Sequence, residues 1–161
     1  MMTYIINEKR KLLLADDVIQ RLYNISHSSD QNESGGILIG KVRKDLSTII
    51  ITDITTPSSA DRRGRFFFIR NRKSAQKVIN TEWIRSLGVK NYLGEWHTHP
   101  ERYPSPSPKD LELIDNCNKK NLNPFEFLFM IIAGNGMEIY VGYQEKNAEN
   151  IQKLVSIEEE E

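Results

Sequence analysis

The sequence predicts a single α/β domain in which a mixed β-sheet is flanked by helices. Apolar residues recur at helical spacing over residues 15–22 and 75–83. Several short runs of β-branched and aromatic residues are typical of strands. Because helices and strands alternate along one chain, they favour an α/β sandwich. A chain of 161 residues fits one domain, 1–161, and is long enough to bury a core without a disulfide.

The predicted elements follow one another in a simple order. A short strand at 4–6 precedes a helix over about 15–26, which has two aspartates near its amino-terminal turn. GGILIGKVR and STIIITDIT form a predicted hairpin through KDLS, and SSADRRGR is a predicted loop before the short strand FFFIR. A second helix ends near Gly88. NYLGEWHTH is a strand, LELIDNCNKK a helix, and FEFLFMIIAG and MEIYVGY are two more strands.

Composition limits the classes of function. Twenty-two basic and twenty-two acidic residues cancel, so no bulk charge attracts nucleic acid or an anionic membrane. The one cysteine, Cys117, forms no internal disulfide, and the amino terminus lacks the apolar core of a secretory signal. No apolar run reaches the length of a membrane span. We therefore expect a cytoplasmic protein, with an acidic tail at about 158–161 that is solvated or contacts a partner.

The stretch GEWHTHPERYPSPSPKD carries the chemistry of the chain. His97 and His99 share one face of a strand, with Cα atoms roughly 6.6 Å apart, so both imidazoles can bind one ion. Two such histidines alone are more often a partly exposed pair near a strand end. A third ligand, Asp110, completes the three-residue set of a catalytic zinc site that leaves a fourth position to water.

Residues Ser107 to Asp110 also form a helix start. A serine at the N-cap, a proline at the first helical position and an acid three residues on are a capping signature. This structural role is compatible with metal binding, because a cap fixes the Asp110 carboxylate in the first turn.

These residues resemble the H-[ST]-H-x7-S-x2-D signature of the JAMM (JAB/MPN) zinc metallopeptidases. His97-Thr98-His99, seven residues, Ser107, two residues and Asp110 match its spacing. Glu33 in ESGGILIG is similar to the upstream glutamate of the family. The resemblance covers about 33–110.

The resemblance implies a cytidine-deaminase-like JAB/MPN fold and a zinc isopeptidase or peptidase with one Zn²⁺ per chain. It implies that His97, His99 and Asp110 bind zinc, that Glu33 is the general acid/base, and that Ser107 supports the tetrahedral intermediate. A zinc deaminase is excluded as a rival, because it needs P-C-x-x-C and this chain has one cysteine.

The sequence segments LGEWHTHPE and PSPS are most similar to those of bacterial JAB peptidases of antiphage (CBASS) operons. That resemblance implies a substrate with an extended carboxyl-terminal tail, either a ubiquitin-like protein or a conjugated CBASS nucleotidyltransferase, and operon-encoded activating and conjugating enzymes as partners. Two alternatives stay open. One is a noncatalytic MPN scaffold in a larger assembly, and the other is a processing peptidase for a sulfur-carrier or ubiquitin-like precursor.

Two further features admit more than one interpretation. Strand alternation puts Glu95 on the face of the histidines, so it is either an alternative base or a partner that orients an imidazole. ADRRGRFFFIRNRK mixes basic and aromatic residues, as nucleic-acid sites do. We favour a buried strand over residues 66–69 with solvated arginines, and we retain substrate docking as a role for Arg62, Arg63 and Arg65.

Overall fold

A computed structural model describes residues 1–28 and 32–157 and confirms the predicted α/β class. The helices are α1 (Asp16–Ser26), α2 (Arg72–Arg85) and α3 (Pro108–Lys119). The strands, in chain order, are β1 (Met2–Asn7), β2 (Arg10–Leu14), β3 (Gly35–Val42), β4 (Thr48–Ile54), β5 (Arg62–Gly64), β6 (Phe67–Ile69), β7 (Asn91–Thr98), β8 (Phe127–Ala133), β9 (Ile139–Glu145), β10 (Gln152–Lys153) and β11 (Val155–Ile157). The acidic tail at 158–161 lies outside the described residues.

Nine strands form one mixed sheet in the order β10-β9-β8-β7-β3-β4-β2-β1-β11. The pairs β2–β4 and β7–β8 are parallel, and the other pairs are antiparallel. Only Leu154 separates β10 from β11, yet these strands pair with opposite edges of the sheet. The sheet must therefore curl until its two edges meet. None of the three described helices is long and apolar enough to cross a lipid bilayer.

Two hydrophobic clusters lie on opposite faces of this sheet. The first surrounds α1, whose Val18 and Leu22 pack with Trp96 and with residues from both halves of the sheet. The second joins α2 and α3 to β3, β7 and β8, and includes Tyr92 and Ile114. Strand β7 lies between the clusters, and all eight of its residues are buried. It is therefore fixed from both sides.

The main differences from the predicted elements are in short strands. The strands β2, β10 and β11 were not predicted, and the expected loop around residues 58–65 contains strand β5, which pairs with β6. The expectation of a buried strand at 66–69 is wrong in part. Phe68 is buried, whereas Phe66 is 72% and Phe67 39% exposed. The second helix ends at Arg85, three residues before the predicted stop at Gly88.

A β-bulge at Gly94 sets the direction in which β7 presents its side chains. Leu38 pairs with Gly94 and the next residue, Ile39, with Tyr92, so β7 contains one extra residue. Without it, strict alternation would place Tyr92 and Glu95 on opposite faces. With it, Tyr92 and Glu95 share a face and are hydrogen-bonded.

Replacing Gly94 should be costly. Its φ is +145°, and an added Cβ would lie 1.8 Å from the Phe129 carbonyl oxygen. We expect Gly94→Ala to lower the free energy of unfolding by about 3 kcal/mol or more, through backbone strain and overpacking. Urea denaturation measures this loss of stability, and Gly136→Ala is the control. An added Cβ at Gly136 would come closest to the flexible Arg102 side chain, at 3.2 Å. Equal midpoints for the two variants would contradict the role given to the bulge.

Candidate metal centre

The three predicted metal ligands meet at the carboxyl end of β7. Their side chains are buried, and one ligating atom from each lies within 4.8 Å of the others. His97 Nδ1 is 2.7 Å from Asp110 Oδ1, and His99 Nε2 is 3.0 Å from Asp110 Oδ2. The described residues thus bring two imidazoles and one carboxylate to a single point.

The carboxylate of Asp110 is fixed by the first turn of α3. Ser107 is the N-cap, Pro108 begins the helix, and the predicted capping box is present. The Ser107 backbone N–H and hydroxyl both donate to Asp110 Oδ2 at 2.9 Å. The helix start therefore aims this carboxylate at β7.

The electrostatics of the cluster favour an ion pair. Burial alone would raise the pKa of Asp110, but hydrogen bonds from His97 and His99 outweigh it and hold that pKa well below its usual range. Burial would lower the pKa of His99, but the hydrogen bond and attraction of Asp110 raise it. Each group thus favours the charged form of the other.

The donor set fits a metal ion. Two imidazoles and a carboxylate are ligands typical of a catalytic zinc site, and they come from two rigid elements. His99 Nδ1 is a buried nitrogen without a hydrogen bond among the described residues, although Glu101 Oε1 lies 3.3 Å away. The chemistry of these three side chains therefore suits a bound cation.

Glu33 reaches the same site from the neighbouring strand. It precedes β3, in which Gly35 pairs with His97. Ser34 continues this pairing, because its carbonyl accepts from the Thr98 N–H at 2.8 Å. The half-buried Glu33 lines a cavity together with the three candidate ligands. Burial raises the pKa of Glu33, partly offset by the nearby imidazoles.

Glu95 lies in a different environment. It is 1% exposed, its Oε1 accepts from Arg70 Nε at 2.5 Å, and its Oε2 accepts from the Tyr92 hydroxyl at 2.5 Å. Burial raises the pKa of Glu95, against the attraction of Arg70. Arg70 also lies 3.9 Å from the buried Cys117 sulfur. Sequence reasoning missed Arg70 and Tyr92, although a glycine inside a strand is a signal for the bulge that brings Tyr92 to Glu95.

The cavity is a groove of about 690 Å³ that extends from the candidate ligands along α3. The exposed Phe66 and Phe67 line it, as do Leu113, Asn116 and Cys117 of α3. Phe68 packs edge-on against His97, with ring centroids 5.6 Å apart. An added Cβ on Gly35 would lie 2.5 Å from the Phe68 ring and 2.7 Å from His97, so only glycine fits there.

The three arginines of the predicted docking segment have different positions. Arg62 is exposed at the start of β5. The Arg65 guanidinium lies 5.3 Å from the centre of the Phe66 ring. Arg63 turns toward the Glu33 segment and donates to the Glu33 carbonyl at 3.1 Å.

Comparison with known proteins agrees with this geometry. A family model described as prokaryotic homologs of the JAB domain matches residues 15–146. The chain belongs to this family. The family predicted from the motif is therefore confirmed, and the matched region includes Glu33 together with the motif residues His97, His99, Ser107 and Asp110.

Curated relatives of this JAB domain carry the name CD-NTase/cGAS isopeptidase. The protein of Escherichia coli (strain TW11681) is 34% identical over 89% of this chain and 86% of its own length. That of Vibrio cholerae serotype O1 is 33% identical over 76% and 74%, and that of Pseudomonas aeruginosa (strain BWHPSA011 / Pa011) is 31% identical over 72% of each chain.

A solved structure shares the fold of the JAB domain. Protein DSY2949 from Desulfitobacterium hafniense matches with a TM-score of 0.57 and 16% identity, over 88% of both chains. A match at this identity supports the fold alone.

The ion pair between His99 and Asp110 should make the stability of the JAB domain depend on pH when a chelator is present. Because the pKa of His99 is raised in the folded protein, His99 stabilises the fold below about pH 6.5, and this stabilisation is lost as the pH rises. Because the pKa of Asp110 is lowered, Asp110 stabilises the fold above about pH 4, and this stabilisation is lost on acidification. The contribution of the pair should therefore be largest between these values. Urea unfolding across pH measures it as the difference between wild type and Asp110→Asn. A difference that does not vary with pH would contradict the ion pair.

Proposed function

We propose that this protein is a zinc-dependent isopeptidase that removes a conjugate attached through the carboxyl terminus of a CD-NTase-type nucleotidyltransferase. One observation carries the proposal: Glu33 and the buried cluster of His97, His99 and Asp110 line the same groove. Relatives of 31–34% identity that are named CD-NTase/cGAS isopeptidase support the substrate class.

The groove residues account for hydrolysis of an amide. When bound by His97, His99 and Asp110, zinc would polarise the scissile carbonyl and lower the pKa of water. Glu33 would accept one proton as the water oxygen adds to the carbonyl carbon. The C–N bond then breaks, and Glu33 returns that proton to the departing amine nitrogen. The products are a free carboxyl terminus and a free amine, with no covalent acyl-enzyme.

Ser107 has a supporting role in the proposal. Its hydroxyl lies in the groove and donates to Asp110 in this structure. A hydroxyl next to the metal ligands is suited to donate to the oxyanion that forms on the substrate carbonyl. Ser107 would thus cap α3 through its hydroxyl oxygen and, with substrate bound, turn its one proton from Asp110 to the oxyanion.

The shape of the groove suits an extended tail. It runs beside Phe66 and Phe67 of the exposed β5–β6 hairpin. The outer edge of β6 pairs with no strand among the described residues, so a peptide could add to it by β-augmentation. We expect activating and conjugating enzymes to make the substrate that this protein cleaves. The exposed Arg62 and Arg65 on the hairpin are candidates for contacts with the conjugated protein.

The two alternative functions differ in what they require of the site. A noncatalytic scaffold needs neither a buried ligand set nor an acid beside it, and both are present here. Processing of a sulfur-carrier or ubiquitin-like precursor would use the same residues on a linear peptide bond. The choice between these substrates rests on the named relatives.

Metal content tests the ligand set. We expect one zinc ion per wild-type chain and none in His97→Ala, because two remaining ligands bind zinc far more weakly. The control is His27→Ala, since His27 is exposed at the end of α1, where its ring stacks on Tyr23 at 4.0 Å between centroids and its Nδ1 lies 2.9 Å from the Tyr23 carbonyl oxygen. At a free zinc concentration of 100 Kd, wild type should gain about 2.7 kcal/mol of stability. A wild-type protein that binds no zinc at neutral pH would overturn the metal assignment.

Turnover tests the base. The conjugate can be produced by co-expression with conjugating enzymes encoded by neighbouring genes. It is then followed as a high-mass band on an immunoblot. We expect Glu33→Gln to keep its zinc and to lose ~10²–10⁴ in cleavage rate. In the matched variant Glu95→Gln, turnover should fall by less than about tenfold, well below that range. Its main effect should be a loss of stability of about 3 kcal/mol, because the half-buried Arg70 loses its charged partner.

The two variants together decide the assignment. A zinc-loaded Glu33→Gln protein with normal turnover, beside an inactive but folded Glu95→Gln protein, would reverse the roles of the two glutamates. Cleavage of small amides with every tailed protein left intact would refute the proposed substrate class.

A further inference from the structure

Residues 32–34 form a short irregular segment that joins two parts of the molecule. On one side Ser34 is tied to β7, because its N–H donates to Thr98 Oγ1 at 2.8 Å and its carbonyl accepts from the Thr98 N–H at 2.8 Å. On the other side the Glu33 N–H donates to the carbonyl of Gly64, in β5, at 2.8 Å. The Glu33 backbone is therefore bonded to the β5–β6 hairpin, while the next residue, Ser34, is bonded to the nine-stranded sheet.

Arg63 strengthens this attachment. Its Nε donates to the Glu33 carbonyl at 3.1 Å, and its Nη2 donates to Ser34 Oγ at 2.8 Å and to the Asn32 carbonyl at 3.4 Å. One guanidinium thus binds oxygens of three consecutive residues. Its planar fork can hold them together, whereas a lysine ammonium is a single flexible point charge.

We propose that Arg63 is a positioning residue that holds the Glu33 carboxylate at the metal centre. The inference rests on the proposed function, because it assigns a role to Arg63 only if Glu33 is the base. The hairpin that carries Arg63 also presents Phe66 and Phe67 to the groove and packs Phe68 on His97. A substrate tail that settles on this hairpin therefore contacts the element that fixes Glu33.

The first test separates positioning from binding. A misplacement of about 1 Å in a reacting group costs on the order of 10²-fold in rate. We expect Arg63→Ala to lower kcat by roughly 10- to 100-fold, with zinc content and KM close to those of wild type. Arg63→Lys should recover part of the loss, and Arg85→Ala, an exposed arginine at the end of α2, should have no effect. A rise in KM with kcat unchanged would show that Arg63 binds substrate instead.

The second test asks whether Arg63 acts through Glu33. Residues that act as one unit have non-additive effects. In single-turnover reactions, adding Arg63→Ala to the Glu33→Gln variant should therefore lower the cleavage rate by less than about twofold. If Arg63→Ala lowered the cleavage rate by the same factor in wild type and in Glu33→Gln, the proposal would be overturned. A Glu33→Gln enzyme with normal turnover would instead refute the proposed base, so the two failures are distinguishable.

A readout independent of activity completes the test. The Glu33 amide is protected by its hydrogen bond to Gly64, and β3 amides are protected by the sheet. We expect Arg63→Ala to accelerate hydrogen exchange at the Glu33 amide by at least about tenfold, while exchange at Leu38 and Ile39 stays unchanged. Unchanged exchange at Glu33 together with unchanged kcat would overturn the proposal. Uniformly faster exchange would assign Arg63 a role in global stability and overturn it as well.

Discussion

The carboxylate of Asp110 is the group on which the geometry of the site depends. One oxygen accepts from His97, and the other accepts from His99 and from the backbone and hydroxyl of Ser107. The amino terminus of α3 is thereby joined to the carboxyl end of β7 at a single charged group. A buried carboxylate is costly unless it is paired, and here both imidazoles lie within 3.0 Å of its oxygens. A cation bound among these three side chains would serve the same purpose.

Strand β7 supplies the rigidity that this arrangement needs. Trp96 is fully buried in the cluster around α1, while its neighbours His97 and Glu95 contact Asp110 and Arg70, respectively. The Trp96 indole N–H also donates to the Thr55 carbonyl at 2.9 Å. Because one face of the strand is locked into the larger core, the other face can hold imidazoles in fixed directions. The short parallel pairing of β7 with β8 extends the support to Thr98.

The sequence was most informative where structure is local. The spacing of His97 and His99 follows from strand periodicity, and Ser107 with Asp110 follows from the rules of helix capping, so these positions could be predicted without the fold. The contacts of Arg63 and Arg70 could not, because both residues reach segments at least 25 positions away in the chain. The closure of the sheet by β10 and β11 was also missed. Strands of two and three residues have too little periodicity to be recognised.

The two glutamates near the ligands show why neighbours, rather than residue type, decide a role. Both oxygens of Glu95 accept hydrogen bonds, from Arg70 and Tyr92, and the side chain is sealed from solvent. A base must meet its substrate, whereas Glu95 is 1% exposed and is held beneath the groove by Arg70 and Tyr92. Glu33 lies in the open groove, and its pKa is raised by burial, a shift that brings a carboxylate closer to the range useful for proton transfer. The fold thus separates two identical functional groups into a structural anchor beneath the site and an acid that faces it.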